Sequence, residues 1–345
     1  MARILIKPKR GKSEKNLPSN LLPNAIGKIK DVVIIEVPDQ AAERILANVK
    51  NNENIEFAEI DKLEPLETPP TERPLNQPWH YSSVKINDAW KISRGEGVKI
   101  AILDTGVKAD HEFLKDRLLP GWNSVRQNTD WSDINGHGTA VAGSALGMAT
   151  DAKVIPIRVS DFEDGGAYNS DMARAIYWAA DNGAHVLNMS YRSWTSQFVL
   201  DAVDYAIRTA GTLVVASAGN DGVDHGFSNP PQVVVVSASG QDGKRTWWSD
   251  YGAYIDVAAP GESVYTSSID GGYEYAYGTS FSSPIVAGIA ALAWRFTSLP
   301  DLRERLKSTD RWNQDLGWGI VDAVKVVRPN APFLRSVEQH EEQHV

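Results

Sequence analysis

The sequence has no cysteine in its 345 residues. This absence excludes disulfides, thiolate metal sites and a cysteine nucleophile, although it does not fix the cellular compartment. No run comes near the roughly 18 consecutive apolar residues that a membrane helix needs, so we expect no membrane partner. The basic N-terminus also lacks the apolar core of a signal peptide. We therefore predict no signal peptide in the sequence as written and leave the compartment open: cytoplasmic, or secreted if a leader has been removed.

Positive charge is concentrated at the N-terminus. Residues 1–30 contain eight Lys and Arg against one Glu, a net of +7, whereas the whole chain has a formal net charge of −9. A basic segment can bind nucleic acid, but this one has no aromatic side chain on which a base could stack, and the rest of the chain is acidic. We expect no nucleic-acid partner. We interpret the basic residues as a solvated face, or as a surface that docks on the acidic body of the same chain.

Proline and charge mark a break in the chain at "EPLETPPTERPLNQP", a composition typical of an exposed linker. The residues before it predict two strands, a helix and a strand: "RILIKP", "DVVIIEVP", "QAAERILANVKNN" and "IEFAEI". We predict four segments: a small α+β domain over 1–67, a linker over 68–78, a larger domain over 79–328 and a polar tail over 329–345.

In the larger domain, short apolar runs alternate with amphipathic helical patterns. The strand-like runs include "VKIAILD", "AKVIPIRV", "AHVLNMS" and "QVVVVSAS", and the helical patterns include "HGTAVAGSALGMA" and "FVLDAVDYAIRTAG". This alternation is typical of an α/β fold, a parallel sheet with helices on both faces. In such sheets the chemistry gathers in loops at the carboxyl ends of the strands.

Four polar residues occupy such positions. Asp104 ends "KIAILD" and His137 opens a helix in "NGHGTAVAG". Asn220 ends "LVVASAGN", and Ser280 precedes the apolar run "IVAGIAALAWRF", where Pro284 is expected in the first helical turn. Taken singly, each has an ordinary interpretation as a turn residue, a structural histidine or a helix cap. Taken together, an acid, a base, an amide and a hydroxyl at one sheet edge predict a shared catalytic site.

The four residues lie in motifs that follow the order Asp, His, Asn, Ser: "AILDTGV", "NGHGTAVAG", "ASAGN" and "GTSFSSP". These motifs resemble those of the subtilisin-like serine proteases, the subtilases. The resemblance covers roughly residues 78–328 and includes "LNMS" and "GWGIVDA". It implies a subtilisin-like fold and a serine endopeptidase that hydrolyses polypeptide substrates through an acyl-enzyme.

The resemblance also implies a role for each of the four residues. Ser280 corresponds to the nucleophile, His137 to the general base, and Asp104 to the residue that orients the histidine. Asn220 corresponds to the oxyanion hole, with the backbone N–H of Ser280 as the second donor. The alternative to an active enzyme is a catalytically silent subtilase-like binding or scaffold protein, held by its own N-terminal domain.

The small N-terminal domain resembles the subtilase propeptide, an intramolecular chaperone and inhibitor with a ferredoxin-like fold. It is shorter than usual between "ILIKP" and "VVIIEV", the place of that fold's first helix. The resemblance implies a self-processing zymogen in which "DKLEPLE" lies in the cleft like a substrate. The expected cut follows Leu66 or, in the neighbouring register, Glu67. An unrelated accessory domain is the alternative.

In the family an extended substrate pairs with backbone segments of the enzyme. The substrate-binding residues that the resemblance indicates are Gly165, Gly166, Ala167, Ser190, Tyr191, Arg192, Ser217, Ala218 and Gly219. Tyr191 and Arg192 replace the small, glycine-rich residues common after "NMS". Arg192 has three interpretations: it narrows the S1 pocket, it favours an acidic residue before the cut (P1), or it extends into solvent.

No cofactor is expected, and no metal site is predicted. The helix after His137 runs on without the inserted loop that forms the strong calcium site of many secreted subtilases. The acidic stretch "SDFEDGG" lacks the spacing of an EF-hand loop. Structural calcium stays open as an alternative, although the usual loop does not support it.

Overall fold

The structure is a computed structural model that describes residues 1–13, 17, 21–66 and 78–328. The predicted tail over 329–345 lies outside the described residues, as does the predicted linker over 68–78 except for Pro78. The chain divides into two compact units. The first comprises Met1–Glu64 and Tyr168–Ser170, and the second comprises Pro65–Ala167 and the chain from Asp171 onward.

The first unit combines an antiparallel sheet with a helix. Its strands are β1 (Ala2–Pro8), β2 (Ala25–Ile29), β3 (Val32–Val37) and β4 (Ile55–Ile60), in the sheet order β2-β3-β1-β4, and helix α1 (Asp39–Lys50) connects β3 to β4. The buried residues of α1, Ala42, Leu46 and Val49, recur at helical spacing and so share one face. They join Ile4 and Ile35 of the sheet in one small apolar core.

After β4 the first unit continues through the short strand β5 (Leu63–Glu64). Two backbone amides from the distant segment of this unit bond to the residues just before β5. Asn169 donates its N–H to the Lys62 carbonyl oxygen at 3.1 Å, and Ser170 donates its N–H to Asp61 Oδ1 at 2.9 Å. These bonds explain why 168–170 belong to the first unit.

The second unit is built on a parallel sheet. The strands after β5 are β6 (Lys99–Asp104), β7 (Trp122–Asn123), β8 (Lys153–Arg158), β9 (Ala167–Tyr168), β10 (Val186–Met189), β11 (Leu213–Ser217), β12 (Val233–Ser239), β13 (Val257–Pro260), β14 (Val264–Ser267) and β15 (Tyr273–Ala276). Seven of them form one sheet in the order β13-β12-β11-β10-β6-β8-β7, and its neighbouring strands pair in parallel. Every residue of β10 to β13 is buried. Because successive side chains point to opposite faces, both faces of the sheet are covered.

The helices after α1 are α2 (Trp79–Ser83), α3 (Ile86–Ala89), α4 (His137–Met148), α5 (Asn169–Asp181), α6 (Gln197–Ala210), α7 (Thr279–Ala293), α8 (Leu299–Leu306) and α9 (Ala323–Val327). Of these, α4, α6 and α7 pack on strands of the sheet. All of α7 is buried, and it packs on α4 and on strands β10 to β13. The predicted α/β fold with helices flanking a parallel sheet is confirmed. Within the described residues, no helix has the length and apolar character needed to cross a membrane.

Pro284 lies deeper in its helix than the sequence predicts. Because α7 begins at Thr279, Pro284 is its sixth residue and falls in the second turn. A proline there cannot donate the hydrogen bond that would reach the carbonyl oxygen four residues earlier, that of Ser280. The Ser190 hydroxyl donates to that oxygen instead, at 2.9 Å. The expectation of a first-turn proline was wrong, because α7 begins at Thr279. The helix tolerates Pro284 in its second turn because the Ser190 hydroxyl supplies the missing hydrogen-bond donor.

Candidate active site

Asp104 and His137 form a buried pair at the carboxyl end of β6. His137 Nδ1 lies 2.8 Å from Asp104 Oδ1, and the two side chains are 8% and 1% exposed. An ionised carboxylate only accepts hydrogen bonds, so the pairing puts a proton on Nδ1 and leaves the lone pair on Nε2. Within the described part of the chain Nε2 has no hydrogen-bond partner. The histidine is thus held in the tautomer that can accept a proton at Nε2.

Asp133 fixes the loop that leads into His137. Its Oδ1 accepts the backbone N–H groups of Asn135 and Gly136 at 3.0 and 2.9 Å, and its Oδ2 accepts the N–H of Thr139 at 2.9 Å. Two of these amides precede α4 and the third lies in its first turn, where N–H groups have no partner within the helix itself. Sequence reasoning missed this residue. Its signal is an Asp a few residues ahead of the helix in "DINGHG".

Ser280 is the second residue of α7 and is buried. Its hydroxyl donates to the Ser190 carbonyl oxygen at 3.4 Å and is not hydrogen-bonded to His137. The ring of Phe281, the next residue, lies 5.4 Å from the His137 ring between centroids. The structure therefore brings the start of α7 beside the histidine and leaves the two predicted side chains unbonded.

Asn220 lies next to Ser280 through contacts with Thr279. Its Oδ1 accepts the Thr279 backbone N–H at 2.9 Å and the Thr279 hydroxyl at 3.0 Å. The same hydroxyl oxygen accepts the N–H of Gly219 at 3.2 Å. Because the amide oxygen is held by two donors, the Nδ2 group is turned to the other side of the side chain. Sequence reasoning missed Thr279, although it directly precedes Ser280.

The segments predicted to bind substrate are joined to one another by hydrogen bonds. The buried Tyr191 donates its hydroxyl to the Gly165 carbonyl oxygen at 2.7 Å, which links the loop after β10 to the loop before β9. Burial raises the pKa of Tyr191 well above its usual value, so the hydroxyl remains a donor. Gly166 accepts a hydrogen bond from the Ser160 hydroxyl at 2.6 Å, and Ala167 is buried in β9.

The third predicted segment continues β11 towards Asn220. Ser217 is the last residue of that strand, and its carbonyl oxygen accepts the indole N–H of Trp194 at 3.1 Å. Ala218 donates its N–H to the Val236 carbonyl oxygen at 3.0 Å, so the sheet holds this segment up to the residue before Gly219.

Arg192 does not extend into solvent as one interpretation of the sequence had it. Its side chain is 16% exposed, and its Nη1 lies 2.7 Å from Asp221 Oδ2 and 3.2 Å from Asp250 Oδ2. The same nitrogen lies 2.6 Å from His225 Nε2. Asp221, His225 and Asp250 are the kind of donor set that can hold a metal ion. Here the guanidinium occupies that position as a fixed cation.

Leu66 lies against one of the predicted substrate segments. A Cβ built on Gly165 would come 2.5 Å from Leu66 Cδ2 and 3.2 Å from Thr105 Cγ2. Gly165 has a φ of +79°, a conformation that favours glycine, and any larger residue would displace Leu66. The Leu66 side chain therefore fills the space above Gly165, close to the residue that follows Asp104.

The sequence matches the subtilase family over residues 95–319. It is 35% identical over 266 residues to a thermophilic serine proteinase from a Bacillus species, with 72% of this chain and 66% of that protein covered. It is 34% identical over 270 residues to thermitase from Thermoactinomyces vulgaris, with 72% and 95% covered. The chain thus spans slightly less than two thirds of the length of the first of these relatives.

Solved structures give the same answer for the fold. Proteases from Pseudoalteromonas arctica superpose with a TM-score of 0.64 at 30% identity, covering 76% of this chain and 99% of that chain. The epidermin leader peptide processing serine protease of Staphylococcus aureus superposes with a TM-score of 0.77 over 94% of this chain and 99% of that chain; at 21% identity it supports the fold alone. The family match covers more than half of a chain that also has this parallel sheet, so the chain belongs to the subtilase family of serine proteases.

Proposed function

We propose that this subtilase is an active serine endopeptidase whose triad is Ser280, His137 and Asp104. The observation that carries the proposal is the buried hydrogen bond between His137 Nδ1 and Asp104 Oδ1, which leaves Nε2 as an acceptor beside the start of α7. Polypeptides are the substrates, as for the family as a whole. A lone structural histidine would have no need of a buried carboxylate that fixes its tautomer.

In the proposed reaction Ser280 Oγ attacks the carbonyl carbon of the scissile peptide bond while His137 Nε2 takes the hydroxyl proton. The resulting oxyanion accepts hydrogen bonds from Asn220 Nδ2 and from the backbone N–H of Ser280. His137 then gives its proton to the leaving amine, which departs and leaves an acyl-enzyme on Ser280. A water molecule then attacks the acyl carbon while His137 takes its proton. The bond from that carbon to Ser280 Oγ breaks, the acid product leaves, and His137 returns the proton to Oγ.

The first step requires Ser280 to exchange one hydrogen bond for another. Its hydroxyl must leave the Ser190 carbonyl oxygen and turn to His137 Nε2. Such a change is in keeping with serine hydrolases, whose catalytic hydrogen bonds are often long before substrate binds. The start of α7 adds a favourable partial positive charge close to the developing oxyanion.

A fluorophosphonate probe tests the proposal directly, because the probe reacts with a serine only when a neighbouring base, here His137, activates the hydroxyl. We expect labelling of the wild-type chain on Ser280, shown by mass spectrometry of the labelled peptide. A folded chain that remains unlabelled and hydrolyses no peptide would be the catalytically silent subtilase that the sequence left as the alternative.

We further propose that the first unit, with the residues that follow it to the cut, is an inhibitory propeptide and that the protein is a self-processing zymogen. Support comes from Leu66, whose side chain covers Gly165 beside Thr105, where a substrate side chain is expected. The chain would then serve as its own first ligand. The carboxylates of Asp221 and Asp250 already neutralise the charge of Arg192, so this arginine has little attraction for an acidic P1 residue. The arrangement therefore does not support cleavage after Glu67.

Asn220→Ala is expected to lower kcat by about 10²–10³ with little change in KM, because the amide meets charge that exists only in the transition state. Thr279 loses an acceptor in this variant but keeps its place in α7. Steady-state kinetics on a peptide substrate measure both constants. Asn229→Ala, which removes an exposed amide elsewhere in the unit, is the control. An unchanged kcat would remove Asn220 from the oxyanion hole.

We also propose that catalysis needs no metal ion. The set of Asp221, His225 and Asp250 already surrounds the Arg192 guanidinium, which would repel a divalent cation. EDTA is therefore expected to leave kcat unchanged and to move the melting temperature by less than about 2 °C, which corresponds to about 1 kcal/mol or less in a domain of this size. A large fall in Tm that calcium reverses would contradict this.

A further inference from the structure

Asp250 binds the chain on both sides of Asn220. Its own backbone N–H donates to the carbonyl oxygen of Gly219 at 3.0 Å. Its Oδ1 accepts the backbone N–H groups of Asp221 at 3.0 Å and of Val223 at 3.1 Å. One residue therefore holds the peptide groups immediately before and after the proposed oxyanion donor.

The Asp250 carboxylate is fully buried, and it is kept in place by Arg192. Burial raises the pKa of Asp250. The hydrogen bond from the Val223 N–H and the nearby charges of His225 and Arg192 lower it, but by less than burial raises it. Arg192 lies two residues after Ser190, whose carbonyl oxygen accepts from Ser280. The ion pair thus ties the segment that carries Asn220 to the segment that lies beside the nucleophile.

The packing around Gly219 leaves no room for a side chain at this position. A Cβ on this residue would lie 2.1 Å from Asp250 Oδ2 and 2.8 Å from Arg192 Cδ. The φ of Gly219 is +119°, so the backbone also adopts a conformation that other residues rarely reach. The Asp250 carboxylate and the δ-carbon of Arg192 therefore lie directly against Gly219, the residue that precedes Asn220.

We propose that Asp250, paired with Arg192, is a positioning residue that aims the Asn220 amide at the oxyanion. This inference rests on the proposed function, because it gives Asp250 a role only through Asn220. If Asp250 merely stabilised the fold, its removal would lower the amount of active enzyme by the same factor whether residue 220 is asparagine or alanine.

A double-mutant cycle in the full chain separates these two roles. Asp250→Ala is expected to lower kcat by about 10- to 100-fold at nearly constant KM, less than the loss that follows removal of the donor itself. In the Asn220→Ala background the same change is expected to lower kcat by less than about threefold, because the donor it positions is already gone. Active sites are counted by fluorophosphonate labelling carried to completion, so that kcat refers to folded enzyme.

Two further variants guard the interpretation. Asp250→Asn retains an oxygen for the N–H groups of Asp221 and Val223, and it is expected to recover most of kcat. If Asp250→Ala does not fold, Asp250→Ser, which has no carboxylate, takes its place in the cycle. Asp256→Asn is the matched control, since Asp256 also accepts a backbone N–H, that of Val235 at 2.9 Å, but lies away from Asn220. Its kcat per active site should equal that of the wild type.

The outcomes are distinct. If Asn220→Ala lowers kcat while the effect of Asp250→Ala is absent, or is the same in both backgrounds, the positioning role is overturned and the proposed protease stands. If Asn220→Ala leaves kcat unchanged, or no serine is labelled, the oxyanion assignment or the protease fails, and the role of Asp250 fails with it.

Discussion

Ser280→Ala is expected to lower kcat by about 10⁶ and to keep the protein as one uncut polypeptide. Without its hydroxyl the triad has no nucleophile, and removing the nucleophile of such a triad costs about as much as removing all three members. The wild-type chain is expected to be cut between about residues 63 and 77, the interval around the proline-rich linker. Intact-mass spectrometry of both purified proteins gives the state of the chain and the position of the cut.

Ser282→Ala provides a matched control from the same helix. The Ser282 hydroxyl donates to the Pro260 carbonyl oxygen at 3.1 Å and is as buried as Ser280. Its removal is expected to cost about 1 kcal/mol of stability, the usual size of one hydrogen bond, and to leave processing and kcat intact. A Ser280→Ala chain that is still cut would mean that another protease does the cutting. A wild-type chain that hydrolyses peptides but stays whole would end the zymogen proposal.

The fold of the second unit could be predicted because its pattern depends on local burial. Runs such as the valines of β12 are buried on both faces, and only a covered parallel sheet explains such runs between helices. The position of Pro284 could not be predicted in this way. It depends on the hydroxyl of Ser190, which lies 90 residues before Ser280 in sequence and donates to the Ser280 carbonyl oxygen.

The residues of the candidate site also fall into two groups, those that local sequence patterns predict and those that depend on distant contacts. Asp104, His137 and Asn220 could be found because strand and helix ends place them at one edge of the sheet. Thr279 and Asp250 could not, since their roles lie in hydrogen bonds to segments far along the chain. The surroundings of Arg192 were hidden for the same reason. Its partners Asp221 and Asp250 are 29 and 58 residues further on, and neither carries a motif.

Asp104→Asn is expected to lower kcat by about 10⁴. Asp104 Oδ1 accepts two hydrogen bonds, from His137 Nδ1 and from the Thr105 N–H, both at 2.8 Å. An asparagine with its oxygen in this place keeps both bonds but leaves its NH2 group where Oδ2 has no partner among the described residues. The opposite orientation places NH2 against Nδ1 and forces the proton onto Nε2, where it blocks the base. In either orientation the negative charge that stabilises the imidazolium is lost.

Asp110→Asn is the control for the charge change. Asp110 is 82% exposed and pairs only with Lys108 at 3.0 Å among the ion pairs of the described residues, so its variant should match the wild-type kcat. Steady-state kinetics over a range of pH measure kcat for both variants, and the rate of fluorophosphonate labelling reports the reactivity of Ser280 independently of any peptide. We expect labelling by the Asp104→Asn protein to slow in step with kcat, because both reactions need His137 to accept the serine proton. A loss of less than tenfold in both measurements would show that His137 works without Asp104, and the buried pair would then be a structural contact rather than part of a triad.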